Sequence, residues 1–183
     1  MKILVLGIGN ILYSDEGVGV QFAELLKEKY NFTSQNHTIE FTDGGTLANL
    51  LTPLIAKFDH VILIDCISAD DGAVGDVYFF DYDIMPKNIA WSGSAHEIEM
   101  LQTLQFMELS GDLPKVKILG VVPKRIEPMS FELSSEMQKA AAVMEKTVLE
   151  HFSSLGITAQ IRRNLKICDI SKRLKEAKYD CGI

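Results

Sequence analysis

The sequence predicts an α/β protein whose open, doubly wound sheet carries helices on both faces. Short apolar runs of strand length alternate along the chain with longer stretches of helical periodicity. Two of the runs, Val61–Cys66 and Val116–Val122, are almost continuous in branched and leucine side chains. Strands buried on both faces of a parallel sheet read this way. One connection, through Asp70, Asp71, Gly72 and Gly75, is too short for a parallel crossover, so one strand pair should be antiparallel.

In order, the first strand is expected at Lys2–Gly7. A helix should follow from Val18, with Phe22, Leu25 and Leu26 on its buried face and Ser14 or Asp15 as its N-cap. The second strand is read at Thr38–Thr42. Leu47 to Phe58 gives a second helix, capped by Thr46 and interrupted or kinked at Pro53. Val61–Cys66 and Asp76–Phe80 are the third and fourth strands, expected to run antiparallel to each other. A third helix spans Ala95–Leu109 and stops at Gly111. After the fifth strand, Val116–Val122, a fourth helix begins beyond Ser134. Its Met137, Ala140, Ala141, Met144, Val148 and Phe152 share one face, and Gly156 ends it.

The 183 residues suffice for one ordinary domain, and 47% hydrophobic with 23% charged residues is a globular profile. A net charge of −7 argues against nucleic acid as a partner, because phosphate binding needs a basic surface. The charge is uneven: from Arg162 onward the net is +4, and the remainder carries −11. A domain over 1–164 followed by a basic tail over 165–183 fits this distribution. The tail is read as a solvated terminal helix or a frayed end, with contact to an acidic partner as the other possibility. No apolar run approaches the roughly 18 residues that span a bilayer. No small-residue cleavage site follows the first strand, so no signal peptide is read. Cys66, Cys168 and Cys181 are odd in number and form no C-x-x-C, which fits a reducing cytoplasm. Cys66 reads as a small buried core residue. Nothing demands a dimer, so a monomer is expected.

The most informative segment is Gly7-Ile8-Gly9-Asn10-Ile11-Leu12-Tyr13-Ser14-Asp15-Glu16-Gly17-Val18-Gly19-Val20, directly after the first strand. A glycine-rich turn in that place suggests a dinucleotide loop, but Leu12 stands where the third glycine is required. Asp15 and Glu16 also occupy the coming helix N-terminus, where a pyrophosphate would have to sit. Open α/β sheets bind ligands outside the carboxyl ends of their strands. Glu16, Asp43, Asp65 and His96 all fall there. Each has a plain structural reading alone: an acid complementing a helix dipole for about 0.3–1 kcal/mol, a turn cap, a helix-end histidine. Together, Glu16, Asp65 and His96 make a set of two carboxylates and one imidazole. Such a set leaves coordination positions open and suits zinc or nickel better than magnesium or calcium.

These residues resemble the motifs of the [NiFe]-hydrogenase maturation proteases. The opening segment resembles that family's first motif, and Asp43-Gly44-Gly45-Thr46 its second. Ile62-Leu63-Ile64-Asp65 is similar to the third, and Ser94-Ala95-His96-Glu97 to its histidine motif. Gly120-Val121-Val122-Pro123 with Glu127-Pro128 resembles a further shared segment. The match runs from Met1 to about Gly156 and says nothing of the tail. The resemblance implies a three-layer α/β/α fold around a twisted, mostly parallel five-stranded sheet with one antiparallel strand. It implies an endopeptidase that removes the C-terminal extension of a nickel-loaded large-subunit precursor, after a basic residue that follows the last metal-binding cysteine motif. By motif, Glu16, Asp65 and His96 would be both catalytic and metal-binding, and Asp43, Gly44, Gly45 and Thr46 would recognise the precursor. Nickel would arrive with the substrate, and zinc or cadmium could replace it in a crystal. Either carboxylate could act as general base, or both as ligands only. Glu16 is the expected ligand and Asp15 the expected helix cap. The competing readings are a non-cleaving chaperone of the large subunit, a metallopeptidase holding its own zinc, and a nucleotide-dependent enzyme.

Overall fold

The computed structural model describes residues 1–84, 89–90 and 95–179, with 89–90, 95–98 and 178–179 described by their backbone alone. In chain order the elements are β1 (Lys2–Ile8), α1 (Val18–Lys29), β2 (Tyr30–Thr33), β3 (Thr38–Gly45), α2 (Thr52–Ile55), β4 (His60–Cys66), β5 (Ser68–Ala69), β6 (Val77–Asp81), β7 (Ile89–Ala90), α3 (Ala95–Ser110), β8 (Lys115–Val121), α4 (Ser135–Ser154), β9 (Thr158–Ile161) and α5 (Ile167–Tyr179).

Five strands form the main sheet in the order β3-β1-β4-β8-β6. The first four are mutually parallel, and β6 alone runs antiparallel, along β8. The short link after β4 does reverse the chain. Its strand, however, pairs with β8 and not with β4, because β8 inserts between them. Two ribbons, β2-β9 and β5-β7, lie outside the main sheet and left no clear mark in the periodicity.

Alternation along the central strands sends side chains to two cores. Ile3, Val5, Ile62, Ile64, Cys66, Leu119 and Val121 pack with Phe22, Leu26, Met144, Phe152 and Ile170 beneath α1, α4 and α5. Leu4, Leu6, Ile8, Val61, Leu63 and Ile118 pack with Ile55, Met100, Leu104 and Met107 beneath α2 and α3. The result is the three-layer α/β/α arrangement, with every residue of β4 buried. The apolar face expected on α4 is the buried one, and Ser134 caps that helix by accepting a hydrogen bond from the Met137 amide at 3.3 Å.

Three expectations are corrected. No side chain caps α1: its N-cap is Gly17, preceded by a 3-10 turn over Ser14–Gly17. The region Leu47–Phe58 is not one helix but a 3-10 turn, Ala48–Leu51, followed by the four-residue α2. Pro53 sits at the start of α2, where its missing N–H costs nothing, and Leu47 rather than Thr46 holds the cap position. The described part of the segment from 165, up to 177 for its side chains, is neither frayed nor fully solvated; residues 180–183 lie outside the described residues. Leu165, Ile167 and Ile170 are buried in the core beneath α1 and α4, and Ser171 donates to the Gln21 carboxamide oxygen at 2.5 Å. Arg163 and Arg173 both pair with Glu28, so part of the basic charge is answered by α1. Among the described residues no helix is long and apolar enough to cross a membrane.

Candidate active site

The carboxyl ends of β1, β3, β4 and β8 converge on one edge of the sheet, and the first motif is folded over it. Its glycines are there for close approach. A Cβ on Gly19 would lie 2.2 Å from the Ile64 carbonyl oxygen and 2.3 Å from that of Ile8, so α1 rests directly on β1 and β4. Gly9, at φ +128°, would place a Cβ 1.9 Å from the Glu16 carbonyl oxygen. The loop therefore closes on itself and holds the Glu16 backbone against the end of β1. The Glu16 amide donates to the Tyr13 carbonyl at 3.2 Å. Glu16 is 5% exposed, Asp65 is fully buried, and both stand at the same edge.

Asp65 is the penultimate residue of β4 and alternates with Ile64 and Cys66. It therefore faces the side of Leu63, the side that α3 covers. Its Oδ1 accepts from the Cys66 amide at 2.8 Å, and the Cys66 thiol donates to the Asp15 carbonyl at 3.2 Å. That thiol contact ties the end of β4 to the residue before Glu16. Across the ladder from Asp65 stands Gly120, whose missing side chain leaves room for Ile67; a Cβ there would lie 2.5 Å from Ile67 Cδ1. His96 is the second residue of α3. Its side chain lies outside the described residues, as do Trp91–Ser94. Among the described residues no group of three or more histidine, cysteine, aspartate or glutamate side chains gathers around one point. Two members of the expected set are thus placed at one edge, and the third is placed by its backbone alone.

Asp43, Gly44 and Gly45 end the edge strand β3. Asp43 is exposed and its Oδ1 accepts from the Gly45 amide at 2.8 Å, while the Gly45 carbonyl accepts from Gly9 at 2.9 Å. The end of β3 is thereby hydrogen-bonded to the first motif. Only β1 separates β3 from β4, so Asp43 lies about 10 Å from the Asp65 strand across two strand spacings. The Asn49 amide reaches Glu99 at 3.4 Å, linking the turn after β3 to the first half of α3.

Asp15 departs most from the sequence reading. It is fully buried and caps no part of its own helix. Its Oδ1 accepts from the Ser134 amide at 2.6 Å. Its Oδ2 accepts from the Ser134 hydroxyl at 2.8 Å, the Lys124 amide at 3.0 Å and the Arg125 amide at 3.2 Å. Around it, Ser14 donates through its amide to Ser130 at 2.8 Å and through its hydroxyl to Glu127 at 3.1 Å, and the Ser130 amide donates to Leu12 at 3.0 Å. Ser14 adopts φ 52°, a left-handed conformation that non-glycine residues enter at a cost of about 1–3 kcal/mol. The segment holding Glu127 and Pro128 is thus bound to the first motif. The sequence marks the segment but not the role, since nothing local says which acid its amides will meet.

A family model for HycI-type hydrogenase maturation proteases matches residues 20–151. The protein HydD of Wolinella succinogenes is 51% identical over 139 residues, which cover 75% of this chain and 87% of that one. The hydrogenase 2 maturation protease of Escherichia coli is 33% identical over 129 residues, covering 70% and 77%. Among solved structures, the hydrogenase-maturating endopeptidase HybD of Escherichia coli superposes with a TM-score of 0.76 at 30% identity, covering 88% of this chain and 98% of that one.

Proposed function

The chain belongs to the hydrogenase maturation protease family and is a peptidase, and from that premise we propose that it removes the C-terminal extension of a nickel-loaded [NiFe]-hydrogenase large-subunit precursor. The observation that carries this reading is the pair of buried carboxylates, Glu16 and Asp65, at the carboxyl edge of the sheet. A phosphate ligand is disfavoured there. The turn that would cradle it is closed by Gly9 against Glu16, and the position before α1 is held by an acid.

Two carboxylates completed by the His96 imidazole suit a borderline divalent ion and leave it open positions. In this reading the nickel is cargo of the precursor, and the three residues engage it only while the precursor is docked. When bound, the ion would polarise a carbonyl or lower the pKa of a water. The chain's own part is to place the scissile peptide and to move protons. One of the two carboxylates accepts a proton as water oxygen bonds to the peptide carbon. The proton passes to the departing amine nitrogen as the C–N bond breaks. Asp43, exposed about 10 Å away, is suited to hold the basic residue beside the cut; an extended peptide covers that span in about three residues. The purified protein should then carry metal well below one equivalent, and it is expected to act as a cytoplasmic monomer. A full equivalent of tightly held zinc would instead support a resident-metal peptidase. Incubating the protein with nickel-loaded precursor and weighing the intact product tests the reaction. Loss of one short C-terminal peptide supports it, and an unchanged mass opposes it in favour of a non-cleaving chaperone.

A further inference from the structure

We infer that Asp15 is a positioning residue for the hydrolysis, setting the separation of Glu16 and Asp65 by clamping the segment after β8 onto the first motif; this rests on the reaction proposed above. Asp15 is linked to both carboxylates, to one through the chain and to the other through a hydrogen bond. Glu16 follows it directly. The residue after Asp65, Cys66, donates its thiol to the Asp15 carbonyl at 3.2 Å. Its own carboxylate collects the amides of Lys124 and Arg125, just beyond β8, and both the amide and hydroxyl of Ser134. β8 is the ladder partner of β4, with Gly120 opposite Asp65. The β1 loop, the end of β4, the exit of β8 and the start of α4 therefore meet at one buried side chain. A helix cap would use one or two of these bonds from its own helix. None of the donors to this carboxylate comes from α1. The donors are 109 to 119 residues away in sequence, so the carboxylate joins elements that no local turn could hold together.

Asp15→Asn keeps the shape but offers only one acceptor oxygen. With that oxygen on the Ser134 amide, an NH2 group faces the Lys124 and Arg125 amides, donor against donor. Wild type and D15N are compared on nickel-loaded precursor for kcat and KM. The folded fraction at assay temperature and the hydrogen exchange of the Lys124 and Arg125 amides are read alongside. The expected result is at least a 10-fold fall in kcat, KM within two-fold, faster exchange at those amides and a folded fraction near wild type. Unchanged kcat, or a loss matching only the unfolded fraction, overturns the inference. If D15N does not fold, Ser134→Ala decides. It removes one bond to Asp15, and kcat per folded molecule should fall two- to five-fold at constant KM; no fall overturns the inference. Failure of wild type to cut the precursor would refute the reaction itself, which is a separate outcome.

Discussion

Glu16 and Asp65 reach one edge by different routes. Asp65 is carried there by a strand, so its direction follows from alternation along β4 and its position from the ladders on either side. Glu16 is carried by a turn and stays in place because Gly9 lets the chain fold over its carbonyl. This difference predicts different sensitivities. Glu16→Gln, Asp65→Asn and His96→Ala should each lower cleavage of the nickel-loaded precursor by 100-fold or more, with thermal midpoints close to wild type. Processing at near wild-type rate by all three variants would show that these are not the working groups. Gly9→Ala, by contrast, should weaken fold and reaction together, because the added methyl strikes backbone rather than a movable side chain.

Elements that bury a continuous stripe were legible in the sequence, and elements held by distant partners were not. β4, β8 and α4 carry their instructions locally, in runs and in a 3.6-residue face, and the structure has them within a residue or so of where those runs fall. The carboxylates at strand ends were legible for the same reason. Thr46 and Asp15 look like caps because their types favour caps. What decides the use of Asp15 is the approach of Ser134 and Lys124 from over a hundred residues away, which no local pattern encodes; at Thr46 the turn simply starts one residue later, with Leu47 at the cap position. The short α2 follows from Pro53 and from Gly44, whose Cβ would meet Ile8 and Leu51 at 2.5 and 3.1 Å and so draws the turn onto the sheet. The helix after 165 looked solvated because its charge masks a narrow apolar stripe. Ile170, only 1% exposed, is part of the core beneath α1 and α4. Ile170→Ala should destabilise the whole domain by about 2–4 kcal/mol in denaturant unfolding. A change below about 0.5 kcal/mol would mean α5 is not docked in solution. Gly19→Ala should cost about 1–3 kcal/mol by pushing α1 off β1 and β4, read in the same titration.

At the scale of the molecule, the two ends of the sheet do different work. The carboxyl edge carries the acids, and the opposite edge is closed by a histidine pair. His60 lies 3.0 Å from His151 between their Nε2 atoms, and its Nδ1 contacts the Lys115 carbonyl at 3.0 Å. Burial, then His60 and Lys117, push the His151 pKa down to about 4, and burial likewise lowers that of His60; Asp81 pulls weakly the other way. A histidine depressed in the folded state favours the neutral form, so the unfolded chain takes up protons first as pH falls. Stability from this pair is complete above the unfolded value near 6.5 and is lost as pH drops from there through about 4. With His60 buried but His151 only partly shielded from solvent, a loss of about 1–2 kcal/mol is expected. His151→Phe should flatten that part of the stability–pH curve, and an unchanged slope would remove the pair as its origin. The reaction proposed for the other edge turns on recognition of the precursor's nickel. The most direct measurement is a parallel time course of wild-type protein with nickel-loaded and nickel-free precursor, each followed by intact mass. The loaded precursor should lose its C-terminal peptide while the nickel-free one stays whole; equal shortening of both would contradict recognition through Glu16, Asp65 and His96.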